Sequence, residues 1–153
     1  MSNSLRFRFD RARKGFTLLE TIVVLLLVAM MATAVVPMAN RAIGHARVQN
    51  SARVIAGDLQ LAFSLASRQR APLRIVVDAS SRKYRITNRA GTIIQERKLG
   101  DGSDLHVGSL SSTVTQLEIY PNGLASGGIT ITVALNGYSQ RITMTRAGQV
   151  RVS

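Results

Sequence analysis

Gly15-Phe16-Thr17-Leu18-Leu19-Glu20-Thr21-Ile22-Val23-Val24-Leu25-Leu26-Leu27-Val28 is the stretch that decides the architecture of this chain. From Phe16 to Ala39 there are 24 residues with one charge, Glu20, and between Ile22 and Val36 only Thr33 is polar. At a rise of ~1.5 Å per residue, such a run makes a helix of ~36 Å, enough to cross a bilayer core of ~30 Å. Arg6, Arg8, Arg11, Arg13 and Lys14 precede it against one acid, Asp10. Basic flanks stay in the cytoplasm, so the sequence predicts a single span with its N-terminus cytoplasmic and the rest of the chain across the membrane. A lone carboxylate at the head of such a span is costly, and its cost marks it as functional.

Three readings share these features. A secretory signal peptide would be cut behind Ala32-Thr33-Ala34, a small-residue site of the expected kind. That reading leaves Glu20 without a role and Pro37 just past the cut. A plain membrane anchor would carry Glu20 near the interface by chance. The third reading rests on a resemblance. Gly15, Phe16 and Glu20 behind a basic segment resemble the class III signal of type IV prepilins and type II secretion pseudopilins. The resemblance implies that a prepilin peptidase cuts between Gly15 and Phe16 and methylates the new amino group of Phe16. It also implies a leader at 1–15, a transmembrane and assembly segment at 16–39, and a domain at 40–153. The chain would then sit in the bacterial inner membrane with its C-terminal domain periplasmic. A buried carboxylate must be paired. In an assembly of such helices, the free amine of Phe16 on a neighbouring subunit is the available cation, which makes Glu20 a register residue.

Pro37 removes a backbone donor within the helical pattern, which predicts a bend or local melting rather than an end. Beyond it, Ala52, Ile55, Leu59, Ala62 and Ala66 repeat at spacings of three and four. Val48 and Phe63 extend that face, and Asn50, Arg53, Gly57, Gln60 and Ser64 line the opposite one. This is an amphipathic helix with one stripe to bury. Pro72 predicts its end near Gln69 or Arg70.

After Pro72 the period changes to two. Strands are predicted at Leu73–Asp78, Lys83–Thr87, Thr92–Lys98, Val114–Tyr120, Ile129–Leu135 and Ser139–Thr145, with shorter ones at Leu105–Val107 and Gln149–Val152. Asn136-Gly137 is a strong two-residue hairpin signal. A long helix followed by hairpin-linked strands is an α+β order, and the helix stripe has the apolar face of an antiparallel sheet as its partner.

That order, with Asp58-Leu59-Gln60-Leu61-Ala62-Phe63-Ser64-Leu65-Ala66-Ser67-Arg68, Tyr120-Pro121-Asn122-Gly123, Gly127-Gly128 and Thr145-Arg146-Ala147-Gly148-Gln149-Val150-Arg151, resembles the GspH/FimT group of minor pseudopilins. Position 120 carries Tyr where the group's pattern has Phe. The resemblance implies a type IV pilin-like fold and a structural subunit at or near a pseudopilus tip. Its implied partners are the major pseudopilin, minor subunits of the GspI, GspJ and GspK types, and secreted cargo or the secretin. The rival is a FimT-like minor pilin of a type IV pilus, in pilus assembly or DNA uptake.

The chain has no cysteine, which excludes disulfides and thiolate metal sites. Formal net charge is +12, and the leader holds five of the 20 basic and one of the eight acidic residues, leaving about +8 on the remainder. This balance favours acidic partners, anionic lipid or nucleic acid, or a solvated surface. Arg82, Lys83, Arg85 and Arg89 cluster around a single aromatic, Tyr84, too few for a stacking platform. His45 and His106 lack ligand spacing, no phosphate-binding glycine motif occurs, and Asp101 and Asp104 flank a glycine turn without an EF-hand pattern. No enzyme activity, cofactor or metal is expected. Mass spectrometry of the mature N-terminus separates the three readings. N-methylated Phe16 is the expected result, and a protein beginning at Val35 would overturn it.

Overall fold

The computed structural model describes residues 16–153. They fall into two units, one ending at Met38 and one spanning Ala39–Ser153. The element order is α1 (Leu18–Gln69), β1 (Leu73–Asp78), β2 (Lys83–Asn88), β3 (Ile93–Lys98), β4 (Ser109–Ser112), β5 (Gln116–Ile119), β6 (Ile129–Leu135), β7 (Tyr138–Met144) and β8 (Val150–Val152). Helix α1 carries Pro37 in its interior without ending there.

Within the second unit the period-3.6 stripe is the organising surface. Val48, Ala52, Ile55, Leu59, Ala62 and Ala66 are buried, while Asn50, Arg53, Gly57, Gln60 and Ser64 face solvent. Alanine at three of these positions lets the helix backbone lie close to what covers it. Ile55 and Leu59 supply bulk, about 1.5–3 kcal/mol each when fully buried. The helix ends with a hydrogen-bond pair that satisfies its last carbonyls. Arg70 N–H donates to Ser67 O at 3.4 Å, and Ala71 N–H donates to Ala66 O at 3.3 Å. Arg70 takes the left-handed conformation (φ 50°) that this ending requires, and Pro72 then blocks any continuation.

The strands form two antiparallel sheets rather than one, in the orders β3-β2-β1-β5 and β4-β6-β7-β8. Both contribute inward side chains to a single core with α1: Ile75, Tyr84, Ile86 and Ile119 from the first, and Leu110, Ile131, Val133 and Ile142 from the second. Alternation sets the pattern along β1 and along β6 as far as Val133, where every other residue is buried. At Asn136-Gly137 both residues have positive φ (52° and 84°), the conformation of a tight hairpin between β6 and β7.

Leu105–Val107 is not a strand. Its apolar residues plug the core singly, held by Ser51 Oγ donating to Leu105 O (3.3 Å) and Val107 N–H donating to Leu99 O (2.8 Å). The strand falls next door at Ser109–Ser112, where Leu110 alone points inward. The segment from Tyr120 to Gly128, which carries Gly123, Gly127 and Gly128, stitches the two sheets together. Ala125 bridges Ile119 at the end of β5 and donates its N–H to Arg146 O beyond β7 (2.8 Å).

One carboxylate ties α1 to the first sheet. Asp58 is 6% exposed. It accepts from Tyr84 Oη, from Gln95 Nε2 at 2.9 Å, and from the Arg97 fork through Nε (2.9 Å) and Nη2 (3.3 Å). Burial, and then the hydrogen bond to Asp58, push the Tyr84 hydroxyl well above its ordinary value of 10.0. The unfolded chain therefore loses this proton before the folded one does. The stability that Tyr84 contributes is complete below pH ~10 and declines as pH rises past it.

Asp58→Ala strands Tyr84 and Arg97 and costs about 3 kcal/mol, the lower end for a broken buried pair because Arg97 is partly in water. Tyr84→Phe costs about 1.5 kcal/mol at neutral pH. Its deficit against the wild type narrows above pH ~10, read by thermal unfolding in near-UV circular dichroism. A deficit that stays constant to high pH would contradict this reading of the cluster. Gly148 has φ 78°, and a Cβ placed there would lie 2.9 Å from Phe63 Cε1 on α1. Gly148→Ala should destabilise the domain by about 1–3 kcal/mol.

Candidate functional site: the apolar helix and its acidic head

Glu20 is the third residue of α1, and Thr17 is its cap. Thr17 Oγ1 accepts the Glu20 backbone N–H at 3.2 Å, half of a capping box of the Thr-x-x-Glu type. An acid in the first turn also suits the positive end of the helix dipole. The local sequence therefore starts the helix at Leu18 and puts a carboxylate in its first turn.

The apolar run leaves its side chains uncovered. Phe16 is 81% exposed, and Leu18, Leu25, Leu26, Val28, Met30 and Met38 are all exposed. Its hydroxyls are turned back on the helix: Thr21 Oγ1 donates to Thr17 O at 3.2 Å, and Thr33 Oγ1 donates to Met30 O at 2.7 Å. Such self-satisfied hydroxyls can enter an apolar medium at little cost. Among the described residues, the ion pairs join Arg82, Arg89, Arg97 and His106 to Asp101, Glu118 and Asp58; Glu20 is in none of them. Gly15 and the basic leader lie outside the described residues. Among those described, α1 is long and apolar enough to cross a membrane, which points to membrane anchoring.

Most of the other candidates sit in local ion pairs or in the core. Arg82 donates to Asp101 Oδ2 at 2.8 Å and to Val107 O at 3.2 Å. That guanidinium holds the Asp101 carboxyl below the usual carboxylate range. Asp101 also faces His106 Nδ1 at 3.3 Å, while Asp104 stays in solvent. Arg89 pairs with Glu118 at 2.9 Å. Tyr84, the aromatic of the basic cluster, is in the core and presents no ring to a ligand. His45 packs edge-on to Tyr138, with ring centroids 5.1 Å apart. Among the described residues, no three His, Cys, Asp or Glu side chains form a metal-binding group. Asp58 and Arg97 escaped the sequence reading. The available signal was the spacing of Ser51 and Asp58, two polar residues on the buried stripe.

The comparisons agree with this division of the chain. Residues 10–36 match the prokaryotic N-terminal methylation motif. No curated protein matches the chain. Among solved structures, the type IV minor pilin FimU of Pseudomonas aeruginosa shares the fold at 18% identity, covering 69% of this chain and 87% of that one, with a TM-score of 0.57. The minor pseudopilin EpsH from the type 2 secretion system of Vibrio cholerae does so at 16% identity, covering 70% of this chain and 96% of that one, with a TM-score of 0.56. At such identities the likeness establishes the pilin-like fold alone. Residues 51–148 match the family described as type II transport protein GspH, and by that match over most of its length the chain belongs to the GspH family.

Proposed function

We propose that this chain is a minor pseudopilin of a type II secretion system, a structural subunit at or near the pseudopilus tip that helps export folded proteins across the outer membrane. The observation that carries the proposal is one chain joining an uncovered apolar helix, headed by a methylation motif, to a GspH-type domain. In this reading a prepilin peptidase cuts between Gly15 and Phe16 and methylates Phe16. The 16–39 segment waits in the inner membrane with the domain in the periplasm. It then leaves the bilayer by packing against the helices of other pseudopilins. Pro37 supplies the bend that this transfer uses. Glu20 pairs with the Phe16 amine of a neighbouring subunit and sets the register.

A second reading has its own support. The fold is shared with a type IV minor pilin, and the strongly basic composition suits phosphate contacts. In that reading the chain serves pilus assembly or DNA uptake.

A clean deletion in the source organism separates the two. Loss of exoprotein release with normal DNA uptake is expected. Normal secretion with lost transformation or piliation would move the protein to the pilus branch. Glu20→Ala should be processed at Gly15 but fail to complement the deletion. Full complementation would remove the register role.

A further inference from the structure

Strand β8 is the outer strand of the second sheet and pairs only with β7. The pairing fixes which backbone groups it uses. Arg141 N–H donates to Ser153 O (2.7 Å), Ser153 N–H to Arg141 O (2.9 Å), and Thr145 N–H to Gln149 O (2.9 Å). Residues 149, 151 and 153 therefore turn their backbone toward β7. By the alternation of an antiparallel ladder, Val150 and Val152 turn their N–H and C=O outward, to an open edge. Natural sheets protect such edges with short strands, charges, proline, bulges or a covering loop. β8 has three residues and the charge of Arg151, with neither proline nor a bulge, so its outward groups are guarded by a charge that an acidic partner would neutralise.

The side chains at this edge carry one sign of charge. Between Ile119 and Ser153 there is no acidic residue, whereas Arg141, Arg146 and Arg151 lie in that stretch. Register places Arg151 opposite Thr143 and Arg141 opposite Thr132 on the outward face of the sheet. Beside the edge lies an open trough of about 610 Å³ lined by Thr143, Thr145, Gln149, Val150 and Arg151. Val152, 37% exposed, adds an apolar contact on the opposite face.

We propose that the β8 edge accepts an acidic, extended segment of another protein as a fifth strand of this sheet. Backbone pairing at Val150 and Val152 would supply the attachment, and the segment's carboxylates would meet Arg151 and Arg141. A second copy of this chain does not fit, because edge-to-edge pairing would set Arg151 of one copy near that of the other. Nucleic acid fits less well, since this edge offers no exposed aromatic for stacking and few cations. The inference holds for either machine named above.

The test uses the full-length chain in detergent and a fluorescent heptapeptide of alternating valine and glutamate. Binding should weaken with salt. It should fall about tenfold in Arg151→Glu, which reverses the charge, and in Val152→Pro, which removes an outward N–H along with the valine side chain but no hydrogen bond to β7. Amide exchange at Val150 and Val152 of the wild type should slow on adding the peptide. A glutamate–proline heptapeptide of equal charge, lacking the alternate N–H groups, should not bind. Equal binding of that control, unchanged exchange at Val150 and Val152, or equal competition by duplex DNA would overturn the proposal.

Discussion

A helix with one apolar stripe must have that stripe covered, and the second unit is arranged around that requirement. The stripe runs from Val48 to Ala66. Two four-stranded sheets share it, and their inward residues merge with it into one core. The joins between sheets follow from the same need. The glycine segment crosses from β5 to the far end of β7, and Ala125 bonds to both sides. The turn before β8 closes against Phe63, leaving no room for a side chain at Gly148.

Within this apolar contact, Asp58 is a deliberate exception. An isolated carboxylate in the core would be strongly unfavourable. Four donated hydrogen bonds from three residues of β2 and β3 make it tolerable, and they define how the helix is rotated and placed along its axis. Apolar contacts alone would allow the helix to slide by small steps. A forked Arg97 contact at a fixed position does not, so the cluster adds specificity to a surface that supplies most of the stabilisation.

The parts of the fold that depend on local chemistry were legible in the sequence. Pro72 marked the helix end, Asn136-Gly137 marked the hairpin, and the alternation in Leu73–Asp78 and Ile129–Leu135 marked strands whose bounds match. What depends on distant partners was not legible. Strand β4 has one apolar residue in four, so its periodicity is too weak to read, and it exists because β6 offers it an edge. The division into two sheets arises from β5 returning to β1 while β4 pairs with β6. Asp58 meets partners 26 to 39 positions away, a relation that no local pattern encodes. At the N-terminal site the position was different. Glu20 stood out because it is a charge in an apolar run, and the structure adds the cap that Thr17 supplies.

The Asp58 contact also has a mechanical meaning. Any pull on the chain from its N-terminal side reaches the second unit through α1. When the pull lies along the helix axis, the contacts that resist it run crosswise from helix to sheet, so they are loaded in shear and share the force, instead of being peeled apart one at a time. The hydrogen bonds to Asp58 are part of that joint. A helix anchored in this way transmits tension to the sheets before it can be drawn out of them.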